Sequence, residues 1–235
     1  MTEENSIIHF TDQFEKLYSI VDSLSFKLSH SKEEFTFRHN KVNHIVSKAV
    51  HPMVCFSEKN ENSLSRENIT YGKYGISFTK EWAITNGLKP VKYIDKKSPE
   101  ALEFASLLIF RRKLKQHKIT SKIRLKIMME KCFTKNTFAY NSFLKRNFEF
   151  KSENEWRFVP TKQQIGGGYI SESRNKFKSN SNFYRKQIAP FPLQFTVNDI
   201  KTIFTCNENE KAILIKKLKL NPSKIKISDW KVELR

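Results

Sequence analysis

With 235 residues, 38% hydrophobic and 13% aromatic, the chain has enough apolar side chain to fill a domain core, which excludes wholesale disorder. Its 43 Lys+Arg against 24 Asp+Glu leave a formal charge of +19, a surface that attracts nucleic acid, an acidic protein or anionic lipid. Six glycines argue against Gly-rich phosphate loops, and three cysteines without a Cys-x-x-Cys spacing read as reduced, intracellular thiols rather than a zinc site.

The opening MTEENSIIHFTDQF is acidic and polar, unlike a secretory signal. The longest apolar run, ASLLIF at 105–110, is far short of the ~20 residues that span a bilayer. A cytoplasmic protein without a membrane partner is expected. SIIHF at 6–10 reads as a strand, and Phe14, Leu17, Ile20, Val21 and Leu24 then recur at helical spacing, with Thr11 or Asp12 as N-cap. Residues 31–50 are polar and carry no clear pattern. PMVCFSE at 52–58 reads as a strand, KNENSLSREN at 59–68 as a loop, and ITYGKYGISF at 69–78 as a strand. Thr79 caps a short helix through Trp82 that Gly87 closes, and KPVKYI at 89–94 is extended.

From about 99 to 144 the pattern is helical and basic: PEALEFASLLIFRRKLKQHK starts at a proline, and SKIRLKIMMEKCF interleaves Ile123, Ile127 and Met128 with Lys and Arg. NFEFKSENEWRFVP at 147–160 returns to strand, and 165–187, with three glycines among many Ser and Asn, reads as a mobile loop. LQFTV at 193–197 is a strand, NDIKTIF a short helix, ENEKAILIKKLKL another helix, and KIKISDWKVEL a closing strand. No repeat or linker divides residues 1–235, so the expected architecture is one α+β domain: a split mixed sheet with a helical insertion.

SENEWRFV sets two carboxylates at the start of an aromatic strand. Alternation places Glu153, Glu155, Arg157 and Val159 on one face and Asn154, Trp156 and Phe158 on the other. The segment by itself favours an exposed strand with a weak Glu155–Arg157 surface pair. No His-Glu-x-x-His, Walker loop, Gly-x-Ser-x-Gly or metal-spaced carboxylate set is present, so no metal is expected.

HFTDQF at 9–14, HPMVCFSE at 51–58, YGKYGISFTKEWAITNGLKPVKYI at 71–94 and ENEWRFVP at 153–160 together resemble the AbiGi family of abortive phage-resistance proteins, commonly described as antitoxins. More remotely, the strand–His–helix opening, the Gly-Tyr block and the Glu-x-Glu strand resemble ADP-ribosyltransferase-type domains. The first resemblance implies a component of an anti-phage, toxin–antitoxin-like system with a partner protein from the same operon. The second implies a split sheet with NAD as substrate and nucleic acid or protein as acceptor. In that arrangement His9 grips a ribose with support from Thr11, and Tyr71 or Tyr74 stacks the nicotinamide. Glu155 stabilises the oxocarbenium ion with Glu153 as auxiliary, while Phe56 and Ser57 enter the same cleft. Ser77 stands where one enzyme subgroup carries a Tyr, which leaves the stacking residue open. The alternative is a non-catalytic antitoxin, regulator or phage sensor that binds an acidic toxin or nucleic acid.

Overall fold

In SIIHFT apolar residues occupy both alternating sets of positions, and a strand of that kind belongs inside a sheet covered on both sides. The computed structural model, which describes residues 5–114, 120–141 and 144–233, shows that arrangement. Strand Ser6–Thr11 pairs antiparallel with Tyr74–Phe78 on one side and with the end of the long strand Val42–Lys59 on the other. From this centre the sheet continues through Thr202–Thr205 to Ile225–Ile227 in one direction, and through Glu155–Phe158 to Lys89–Pro90 in the other. The pair of Thr202–Thr205 with Ile225–Ile227 is parallel and the other neighbours are antiparallel, so this single α+β domain is built on a mixed sheet.

Helices Phe14–Ser23, Lys80–Thr85 and Glu208–Leu218 supply Leu17, Val21, Trp82, Ala83 and Leu214 to one side of the sheet, where they pack with Ile7, Phe56, Ile76, Phe78 and Trp156. The opposite side carries a smaller cluster of Ile8, Phe10, Leu64, Ile69, Phe204 and Trp230. Gly72 ties that cluster to the first strand. Its carbonyl accepts from the Trp230 indole, its φ is +122°, and an added Cβ would lie 2.3 Å from the Thr11 carbonyl oxygen. An L side chain has no room or suitable backbone there.

The segment 31–50, which carries no clear pattern in sequence, is the longest hairpin of the molecule. Ser29–His39 pairs along Val42–Lys59 with a register shift between Phe35 and Thr36. Its turn uses Asn40 and Lys41, both at positive φ, so a hairpin turn is made without the glycine that usually marks one. Helix Pro99–Lys113 covers this hairpin, packing Phe104 and Leu108 against Phe35 and Val46.

Several sequence expectations are corrected. The first helix is entered through Gln13, and Thr11 lies within the strand, so neither Thr11 nor Asp12 is the N-cap. The helical stretch expected over 99–144 ends at Cys132, after helix Ser121–Cys132, and short strands follow at Thr134–Asn136, Phe138–Asn141 and Arg146–Glu149. Residues 115–119 and 142–143 of that stretch lie outside the described residues. The loop expected over 165–187 contains helices Arg174–Ser179 and Ser181–Ile188, anchored by buried Phe177, Tyr184 and Ile188. NDIKTIF is a single 3-10 turn at Val197–Asp199 followed by the buried strand Thr202–Thr205. Thr79, in contrast, accepts from Trp82 N–H at 3.1 Å, and Gly87 follows that helix with φ +79°.

Candidate functional site

Cross-strand register decides which expected site residues can meet. Ile8, Ser57 and Glu155 lie opposite one another on adjacent strands, and Ser77 and Thr202 continue the row beyond Ile8. Residues in one row share a face, and the next residue along each strand takes the other face. Ser57, Ser77 and Glu155 therefore emerge on one side of the sheet. His9, Phe56 and Trp156, each displaced by one position, emerge on the other, as do Thr11 and its partner Tyr74. The expected convergence of His9 with Glu155 does not occur, because an odd offset in register puts the imidazole and the carboxylate on opposite sides of the sheet.

His9 is held by its own surroundings. Its Nδ1–H donates to the Cys55 carbonyl at 2.8 Å, and its ring centroid lies 4.9 Å from Phe26 and 5.5 Å from Phe56. Burial pushes its pKa down, so the ring is neutral near pH 7. With Thr11, Phe26 and Val54 it borders a pocket of about 370 Å³. Phe56 is 2% exposed and belongs to the aromatic core with Phe26, Phe78 and Trp82. Tyr74 donates to Glu210 Oε1 at 2.9 Å and packs against Phe14. On the other face Ser77 donates to Glu61 Oε1 at 2.8 Å, a carboxylate that also receives the hydroxyls of Ser6 and Thr202.

The Glu-x-Glu segment is not one continuous strand. Phe150–Glu153 forms a 3-10 turn, Asn154 takes positive φ, and the strand begins at Glu155. Asn154 rotates the chain so that Glu153 and Glu155 both reach Lys135, whose ammonium lies 3.4 Å from Glu153 Oε2 and 3.2 Å from Glu155 Oε2. Arg157 grips Glu155 through two donors, Nε at 2.8 Å and Nη2 at 3.0 Å, while Nη2 also reaches Glu33 at 3.0 Å and Nη1 the Cys132 carbonyl at 2.6 Å. Arg157 is 0% and Glu155 6% exposed, so the surface pair expected from this segment is a buried, bidentate one. Lys135 also sits 3.8 Å from the centroid of the Phe150 ring.

Burial opposes ionisation of Glu155, but Arg157 and then Lys135 outweigh it and hold the carboxyl well below the usual range. Glu153 is raised by burial against the pull of Lys135, and accepts the Tyr71 hydroxyl at 2.7 Å. Ser57, Tyr71 and Glu153 border a pocket of about 310 Å³ together with Lys59 and Glu67, and Glu155 is not part of its wall. Of the expected constellation, then, Tyr71, Ser57 and Glu153 meet at one hollow, Glu155 lies behind them in an ion cluster, and His9, Thr11, Phe56 and Tyr74 belong to the opposite face. Lys135 and Glu33 are invisible as cluster members in the sequence. The one signal it carries is the alternation of Glu155 with Arg157, which shows that the two share a face but not how deeply they lie.

Among the described residues no group of three or more His, Cys, Asp or Glu is gathered as a metal site, and no helix is long and apolar enough to cross a membrane. No solved structure matches the chain. A curated relative, the abortive phage resistance protein AbiGi of Lactococcus lactis subsp. cremoris, is 27% identical over 178 residues, covering 65% of this chain and 70% of that protein. The family model described as abortive phage resistance protein AbiGi, antitoxin, matches residues 25–206. That match takes in the hairpin, the Gly72 turn, both long central helices and the whole Lys135–Glu155–Arg157 cluster, and on it the chain belongs to the AbiGi family of abortive phage-resistance antitoxins.

Proposed function

We propose that the protein is the antitoxin of an abortive phage-resistance system and acts by forming a complex with a toxin protein, without chemistry at Glu155. The carrying observation is the state of that carboxylate. An acid that stabilises an oxocarbenium ion must present its charge to the substrate. Here both Glu155 oxygens are engaged by Arg157, and Lys135 adds a second cation to one of them. His9 faces away on the other side of the sheet. The cluster is better suited to fixing the Glu155–Phe158 strand between Val42–Lys59 and Lys89–Pro90 than to catalysis. The family match supports the antitoxin role, and a charge of +19 favours fast, salt-sensitive association with an acidic partner surface.

The test is co-expression with the protein encoded beside this one. Growth arrest by that protein alone, relieved by this chain, and co-purification that weakens as salt is raised support the reading. A neighbour that stays toxic in the presence of folded antitoxin and does not co-purify overturns it. Purified protein incubated with labelled NAD should release no nicotinamide; stoichiometric or catalytic release would restore the transferase reading.

A further inference from the structure

Helix Pro99–Lys113 ends in Arg111, Arg112 and Lys113, and cations at a helix C-terminus complement its dipole. The geometry around them goes further than that role requires. Arg111 and Arg112 meet Lys131 from helix Ser121–Cys132 and Lys48 from the long hairpin strand at one pocket of about 270 Å³, closed by Ser171 and Glu172. Four cations from three elements line a wall that holds one carboxylate, Glu172, which is shared with the Ser173 N–H and the Tyr184 hydroxyl; Lys48 also lies 3.8 Å from Glu34 outside the wall, and Arg112 donates to the Val46 carbonyl. Arg111 Nε is buried and has no hydrogen-bond partner among the described residues. Arg124 donates to the carbonyls of Arg111 and Leu114, which brings a fifth cation to the same end of the helix. Burial first, and then the neighbouring Arg111, push Lys131 down to about 8.

An adjoining pocket of about 580 Å³ shares Ser171 with the first and is bordered by Lys122, Arg124, Lys162 and Tyr169. Tyr169 is 52% exposed, an aromatic face beside a line of cations. The first pocket is smaller than the ~300–1,000 Å³ of sites that enclose a whole small molecule, and fits a phosphate group whose remainder lies outside. A basic track with an exposed aromatic next to it is the arrangement that binds single-stranded nucleic acid, with phosphates neutralised along the track and a base stacked on the ring.

We infer that this strip binds single-stranded nucleic acid, with a backbone phosphate in the Lys48–Arg111–Arg112–Lys131 pocket and a base on Tyr169. The inference stands on side chains remote from the Glu155 cluster and is independent of the antitoxin reading. The experiment is fluorescence anisotropy of the full chain with a labelled oligo-dT of about 15 nucleotides, the upper end of single-strand site sizes, over a salt series and against duplex of the same length. Wild type binds the single strand more tightly than the duplex. The double variant Arg111→Gln/Lys131→Gln weakens binding at least ~10-fold and lowers the salt slope by ~0.7, the value for the one phosphate no longer neutralised. Tyr169→Ala weakens it roughly 5- to 100-fold with the salt slope unchanged, the range expected when one base can no longer stack. Lys216→Gln, on another helix, binds as wild type, and circular dichroism confirms that each variant is folded. Equal affinity for duplex, displacement by polyglutamate or ATP at the same phosphate- or carboxylate-equivalent concentration as unlabelled oligo-dT, or unchanged binding by either folded strip variant overturns the proposal.

Discussion

Glu155 looks catalytic in sequence, and in the fold its carboxylate is gripped by Arg157 and Lys135. Removing one member of a buried ion cluster leaves its partners uncompensated, which costs about 3–5 kcal/mol. Arg157→Leu takes the guanidinium from both Glu33 and Glu155, leaving Lys135 as the cation paired with Glu155, and should lower the unfolding midpoint by roughly 6–20 °C in a thermal melt; a shift below about 2 °C would show that the cluster is not tight. Gly72→Ala meets both a strained backbone and the Thr11 carbonyl, and is expected to cost at least about 2 kcal/mol in urea unfolding. His51 supplies a pH signature. It is fully buried against Cys132, and burial first, then Lys131, lowers its pKa to about 3. The unfolded chain protonates His51 at ~6.5 while the folded chain does not, so its stability contribution is complete above that pH and lost as pH falls toward 3. By about pH 5 the loss from His51 is about 2 kcal/mol. Unfolding by urea at about pH 7.5 and about pH 5 should show that drop, and His51→Gln should shrink it; an identical drop in the variant would place the acid sensitivity elsewhere.

Among the elements, legibility follows periodicity. SIIHF, the Thr79-capped helix and helix Glu208–Leu218 are readable because apolar spacing and capping residues agree. The hairpin Ser29–His39/Val42–Lys59 is not, since its outer half is solvated, its turn is Asn-Lys rather than Asn-Gly, and the ladder of backbone hydrogen bonds leaves no trace in side-chain pattern. The helices over 174–188 are hidden by Ser, Asn and Lys, although Phe177, Tyr184 and Ile188 mark their buried side. Tertiary packing against Val50 and the remainder of the core, rather than propensity, holds such short helices. They should therefore resist limited proteolysis in the native state. Rapid cleavage between 174 and 188 would contradict that, whereas the exposed glycines Gly166 and Gly167 are the expected sites of first attack.

The site is legible as a set of residue types and illegible as a constellation. Sequence places Glu155 and Arg157 on one face, which holds, yet whether His9 joins them depends on the registers of two strand pairings between segments far apart in the chain, and no local pattern encodes those. At the scale of the whole molecule, a one-residue difference in register decides whether the His9 imidazole and the Glu155 carboxylate share a face; here they lie on opposite faces, and the acid is paired with Arg157 and Lys135. The excess of 19 positive charges is what the proposed partner binding and the proposed Arg111–Tyr169 strip would draw on.

The central claim, that Glu155 holds the strand and performs no reaction, is tested most directly by Glu155→Gln assayed in cells co-expressing the proposed toxin partner. The assay is run at a temperature where circular dichroism shows the variant fully folded. The account predicts growth rescue equal to wild type by the folded variant, with rescue failing only as the variant unfolds on warming. A folded Glu155→Gln protein that gives no rescue at any temperature would contradict it.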